Sequence, residues 1–124
     1  MVNSRPVFLE LWRIRLPIPG VVSILHRISG VLMVLAIPLF AALFAQALSG
    51  SAGFADAAAL ASSPLGQLAL LLLGWSLLHH LLAGMRYLAL DLGWGLDRPN
   101  ARKTAWTTLY SALALTLIGA VVLR

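Results

Sequence analysis

His79-His80-Leu81-Leu82-Ala83-Gly84-Met85-Arg86-Tyr87-Leu88-Ala89-Leu90-Asp91 closes an apolar run that begins near Leu65. It places two imidazoles, a guanidinium and a carboxylate within or at the edge of a segment that reads as a membrane-spanning helix. Ionisable groups at that depth are costly and are mostly functional where they occur. At helical spacing His80 and Gly84 are i and i+4, with Ser76 one turn before, so an imidazole stands on a stripe of small residues. Such a stripe suits a broad, flat group lying against the helix.

Working outward, composition sets the class. The chain has 124 residues, 60% hydrophobic and only 10% charged, with a mean hydropathy of +0.92. That is far from the usage of a soluble domain and marks an integral membrane protein. The absence of cysteine excludes disulfides, thiolate iron–sulfur ligation and a thiol nucleophile in this chain, so any iron–sulfur centre belongs to a partner. A net charge of +5 does not indicate nucleic acid, because the basic residues flank apolar runs instead of lining one face.

Along the chain, residues 1–20 carry Arg5, Arg13 and Arg15 among Pro6, Pro17 and Pro19, and read as an extended, retained basic lead-in. Three spans follow in one membrane-anchor domain, expected at about 21–48, 64–91 and 103–123. Pro38 bends the first span without ending it. Ser49-Gly50-Ser51-Ala52-Gly53 opens a first loop without Lys or Arg, Pro64 begins the second span after Ser62 and Ser63, and Asn100 is a candidate cap for the third. Basic residues gather in the N-terminal segment and the second loop, which puts the N-terminus on the cytoplasmic side. The expected location is a bacterial cytoplasmic (inner) membrane, crossed several times, rather than a mitochondrial one. Trp12, Tyr87, Trp94 and Trp106 fall near that inner boundary as an aromatic belt.

A second polar group opens the first span. Ser23, His26, Arg27 and Gly30 share one helical face at i, i+3, i+4 and i+7. If Val21 and Leu90 mark the same boundary, His26 lies about 8 Å and His80 about 15 Å into the membrane. A b-type haem suits this arrangement, with His80 on the iron, Gly84 admitting the porphyrin, and His26, Arg27 or Arg86 near its propionates. A quinone makes other demands, which a Ser23 hydroxyl and the Arg27 cation can meet. Plainer roles stand beside these. His80 can be an interhelical hydrogen-bonding residue, Arg27 and Arg86 can snorkel to lipid phosphates or pair with Asp91, and the two glycines can simply allow close packing. Ser29 is expected to bond back to its own helix. His79 points about 100° away from His80 and is read as packing or surface.

Arg5-Pro6, the Arg15-Leu16-Pro17 approach, Ser23-Ile24-Leu25-His26-Arg27-Ile28-Ser29-Gly30, and His80 followed by Gly84-Met85-Arg86 and Asp91 together resemble the cytochrome b membrane subunit of succinate dehydrogenase, respiratory complex II. The resemblance covers nearly the whole chain. It implies an all-α membrane protein of three transmembrane helices, N-terminus inside, packed with a second membrane subunit around a shared haem b. It also implies that His80 is an axial haem ligand, that Ser23 and Arg27 belong to the ubiquinone site, and that His26 and Arg86 lie by the haem propionates; Asp91, by the plainer reading above, is a candidate for a structural ion pair. The implied partners are a second membrane-anchor subunit, an iron–sulfur subunit, a flavoprotein subunit and membrane lipid, with no nucleic acid. The chain itself binds no succinate in this reading. A cofactor-free membrane anchor, a fumarate-reducing homologue and a small ion-conducting subunit are the alternatives.

Overall fold

Four helices form among the described residues, at Ile18–Leu48 (α1), Ser51–Ser62 (α2), Pro64–Asp91 (α3) and Arg98–Val122 (α4). The computed structural model describes residues 15–122, so Arg5, Pro6, Trp12, Arg13, Leu123 and Arg124 lie outside the described residues. No strand occurs among the described residues. α1, α3 and α4 are each long and apolar enough to cross a membrane, which makes this an all-α membrane protein as the sequence indicates.

Local chemistry sets the helix ends. α1 starts at Ile18, three residues before the expected Val21: Pro17 is extended, and Pro19 fits the first turn, where its missing N–H leaves nothing unpaired. The helix then runs through Pro38 to Leu48 without ending. The expected first loop is instead a separate helix. Gly50 breaks the chain at a φ of 133°, and six alanines then support the 12 residues of α2. At a rise of about 1.5 Å per residue α2 is too short to span a bilayer.

Ser63 caps α3, its hydroxyl accepting from the Gly66 amide at 3.1 Å, with Pro64 at the first helical position as expected. The far end closes in a Schellman turn. Trp94 N–H donates to the Ala89 carbonyl at 3.0 Å and Gly93 N–H to Leu90 at 2.9 Å, and the φ of 85° at Gly93 is what a glycine supplies there. α4 begins five residues before the expected Lys103, and its cap is Asp97 in place of Asn100. The Asp97 carboxylate accepts from the Asn100 side chain at 2.9 Å and from its backbone N–H at 3.3 Å.

α1, α3 and α4 bury small or polar side chains and leave their leucines outside. The inward positions are Val22, Ser29 and Ala36 on α1, Ser76, His79, Ala83 and Arg86 on α3, and Ala105, Thr108, Ala112 and Thr116 on α4. Leu68, Leu77, Leu88, Leu117 and many other large apolar residues are exposed. In lipid that inversion is favourable, because helix association there gains from close backbone contact and not from hiding leucine. Tyr87, expected in an interfacial belt, is half-buried and packs with Ile18 on the core of Val22, Ala83 and Ala105, whereas Trp94 is 70% exposed.

The Asn100 hydrogen bonds hold the Asp97 carboxyl below the usual carboxylate range. A depressed folded-state pKa gives stability that is present above the unfolded value and lost as pH falls through the folded one. Asp97→Ala is therefore expected to speed amide exchange in the first turn of α4 near neutral pH, and that difference should vanish in acid below the folded-state pKa of Asp97.

Candidate functional site

α1 and α3 run antiparallel, and each Cβ leans toward the start of its own helix. The His26 ring therefore reaches down toward Gly84 while the His80 ring reaches back toward Gly30. The two imidazoles stack, with centroids 4.0 Å apart and planes 13° from parallel. They lie at one level, which corrects the separate depths expected from the sequence. Of the roughly 7 Å expected between them, about 4.5 Å came from the boundary, since α1 begins three residues earlier than Val21.

Two glycines make the stack possible. A Cβ on Gly30 would sit 3.0 Å from His80 Cε1 and 3.3 Å from its Nδ1, whereas one on Gly84 would be an ordinary 3.6 Å from His26 Nε2. Gly30 is therefore the tighter constraint. The residue facing His80 across the helix contact matters more than the small residue four places along its own helix.

His80 Nδ1 lies 3.0 Å from the His26 carbonyl oxygen and 3.3 Å from Ser29 Oγ. A carbonyl only accepts, so Nδ1 carries the proton. In the neutral imidazole Nε2 then keeps its lone pair, and it makes no hydrogen bond among the described residues. His80, His26, Arg27 and Gly30 line one groove of about 480 Å³ whose remaining wall is Val31, Val34 and Leu35. The groove thus presents the bare His80 nitrogen, the His26 imidazole, whose ring nitrogens make no hydrogen bond among the described residues either, one guanidinium and an apolar wall.

The other expected residues are placed differently. Ser23 is half-buried one turn before Arg27 and is not on the groove wall, while Asp91 is exposed at the end of α3. Arg86 is 8% exposed and turned to α4, donating from Nε to Thr104 Oγ1 at 3.1 Å and from Nη2 to the Ala101 carbonyl at 2.9 Å. Its guanidinium thus clamps α3 to α4, and these contacts are not with Asp91. His79 is wholly buried, stacked on Trp75 at 5.1 Å, with neither ring nitrogen partnered. Ser29 bonds back to the His26 carbonyl at 2.8 Å as expected, but it also touches His80, which the sequence reading missed. Tyr87 was missed too. Its ring meets His26 edge-on at 5.3 Å, and its buried hydroxyl has no partner. Its spacing of seven residues from His80 was the available signal.

The chain matches the family described as succinate dehydrogenase/fumarate reductase transmembrane subunit over residues 1–119. It belongs to that family. It is similar to the succinate dehydrogenase cytochrome b556 subunit of Paracoccus denitrificans, 33% identical over 97% of this chain and 92% of the relative. The protein of the same name from Coxiella burnetii is 35% identical over 96% of this chain and 97% of its own length. That from Rickettsia felis is 25% identical over 94% and 90% respectively. The chain is thus a cytochrome b membrane anchor of succinate dehydrogenase, and it works as part of an enzyme complex. In this family member the groove between α1 and α3 brings His26, Arg27 and Gly30 of the first motif together with His80 of the second.

The Cβ distances predict a contrast between two small substitutions. Gly30→Ala should destabilise the α1/α3 contact by about 1–3 kcal/mol through overpacking against His80, while Gly84→Ala should be nearly neutral. Detergent-induced unfolding of the membrane subunits measures both.

Proposed function

We propose that this subunit holds haem b at His80 and contributes Ser23 and Arg27 to a ubiquinone site. Electrons from succinate oxidation reach that site through a partner iron–sulfur protein. The observation that carries the reading is the seat of His80, whose Nδ1–H is occupied by a backbone carbonyl while Nε2 remains a free donor beside an open apolar groove. Iron in a b-type cytochrome takes a neutral imidazole nitrogen whose other N–H is tied down, so the residues present fit the group. His79 offers no such donor, being sealed inside the three-helix core.

When bound, the haem would supply one-electron storage. The chain's own residues do the rest. His80 donates the nitrogen, and Val31, Val34 and Leu35 keep water from one side of the groove. His26 and Arg27, on the groove wall, would offer haem propionates a hydrogen-bond donor and positive charge, whereas the Arg86 guanidinium is already engaged by α4. Ubiquinone takes up two electrons and two protons. In this reading the Ser23 hydroxyl hydrogen-bonds one of its carbonyl oxygens, and the Arg27 guanidinium offsets negative charge developing there.

A second membrane-anchor subunit would supply another histidine to the haem and the rest of the quinone pocket. The iron–sulfur and flavoprotein subunits dock on the inner face of a bacterial cytoplasmic membrane. The antiparallel helices support this orientation by bringing Arg15, Arg27, Arg86, Arg98, Arg102 and Lys103 toward one end of the bundle, with Trp94 and Trp106. An excess of Lys and Arg marks the cytoplasmic boundary of such bundles, and tryptophan marks an interface on either side.

A reduced-minus-oxidised spectrum of the purified complex should show b-type bands. His80→Leu should remove the six-coordinate low-spin signature, whereas His79→Phe should keep it, because replacing an unpartnered buried imidazole with an apolar ring of similar shape costs little. A complex without b-type bands reduces the chain to a tether. Ser23→Ala and Arg27→Ala should each slow ubiquinone reduction by about 100-fold while sparing succinate oxidation by an artificial acceptor. Equal loss of both activities would remove these residues from the quinone site.

A further inference from the structure

We propose that Ser29 is a positioning residue whose hydroxyl holds the His80 ring and strengthens Nε2 as a ligand, so that it sets the reduction potential of the group His80 binds. The inference rests on the reading of His80 as an iron ligand.

Ser29 is completely buried, and its Oγ lies between the two functional histidines. It donates to the His26 carbonyl oxygen at 2.8 Å and stands 3.3 Å from His80 Nδ1. With its proton committed to the carbonyl, the hydroxyl presents a lone pair to the Nδ1–H. That second acceptor matters because the His26 carbonyl is oversubscribed. Within α1 it takes the Gly30 N–H of the helix ladder, and it also takes the Ser29 hydroxyl and His80 Nδ1 at 3.0 Å, three donors for two lone pairs. Without the hydroxyl, His80 is left with one shared acceptor.

The ring has few other restraints in its own plane. The His26 stack at 4.0 Å limits tilt, and Gly30 limits approach on the Cε1 side. Neither prevents rotation that would turn Nε2 away from the groove, because a ring face and a glycine offer no direction. Two acceptors on Nδ1 do. They also draw the N–H proton and raise electron density at Nε2, which favours the oxidised metal and lowers its potential.

The test is a redox titration of the assembled complex followed in the b-type absorption bands, with wild type, Ser29→Ala and Ser29→Thr side by side. In Ser29→Ala, which removes atoms and adds none, the haem should stay bound, its midpoint potential should rise, and its low-spin electron paramagnetic resonance signal should broaden. Ser29→Thr, which keeps the hydroxyl, should lie closer to wild type in both. An unchanged potential and signal in Ser29→Ala at full haem content overturns the proposal, as does a shift of equal size in both variants. The alanine variant decides alone if the threonine protein fails to assemble. A wild-type complex devoid of b-type bands overturns the reading of His80 beneath it as well, a failure visible before any Ser29 variant is made.

Discussion

One hydrogen bond between helices, from His80 Nδ1 to the carbonyl oxygen of His26 at 3.0 Å, sets the terms for the rest of the molecule. A carbonyl inside a helix is normally screened by its own turn, and another helix reaches it only when the two backbones come very close. That closeness requires Gly30 opposite the imidazole and Ser29 beside it. Interhelical hydrogen bonds in membranes are worth only about 0.6–1.7 kcal/mol each. The bond therefore contributes more through direction than through stability, since it turns a free histidine into one with a defined donor nitrogen.

The same constraint shapes the wider bundle. In hydrocarbon every polar group must find a partner within the protein, and the buried hydroxyls do so locally. Ser76 bonds the Leu72 carbonyl, Thr108 that of Thr104 and Thr116 that of Ala112. Such back-bonded hydroxyls act as small, satisfied residues and let α3 and α4 approach. Arg86 cannot be treated in this way. It lies near the C-terminal end of α3, where the start of α4 presents Thr104 and the Ala101 carbonyl to its guanidinium. The early start of α4 at Arg98, held by Asp97, is what brings those two acceptors within reach.

Against this satisfied background two groups stand out. Both ring nitrogens of His79 and the hydroxyl of Tyr87 are buried without partners. His79 has Trp75 against its face, and Tyr87 has the His26 edge and the Arg86 guanidinium 5.5 Å from its ring centre. Tyr87 thus extends the polar seam from His80 through His26 toward the start of α1, where the proposed quinone residues lie. His79 belongs to a different face of α3. Adjacent residues on a helix diverge by about 100°, so a pair of neighbouring histidines is divided between core and groove.

Amino-acid order alone determined the class of protein, its three crossings, their sequence in the chain and the two motifs that carry the site. These follow from hydropathy and from spacing of 3.6 residues per turn, which act within one segment. Helix ends were less legible. Pro19, beside Ile18, reads as a breaker although it fits a first turn, and the alanines of α2 outweighed the glycine and serines before them. Only the tertiary structure decided that His26 and His80 lie level, that Gly30 serves His80 while Gly84 faces His26, that Arg86 belongs to α4, and that His79 is sealed while His80 keeps a free nitrogen. Each depends on how far one helix slides and turns against another, and periodicity within a single helix carries no record of that register.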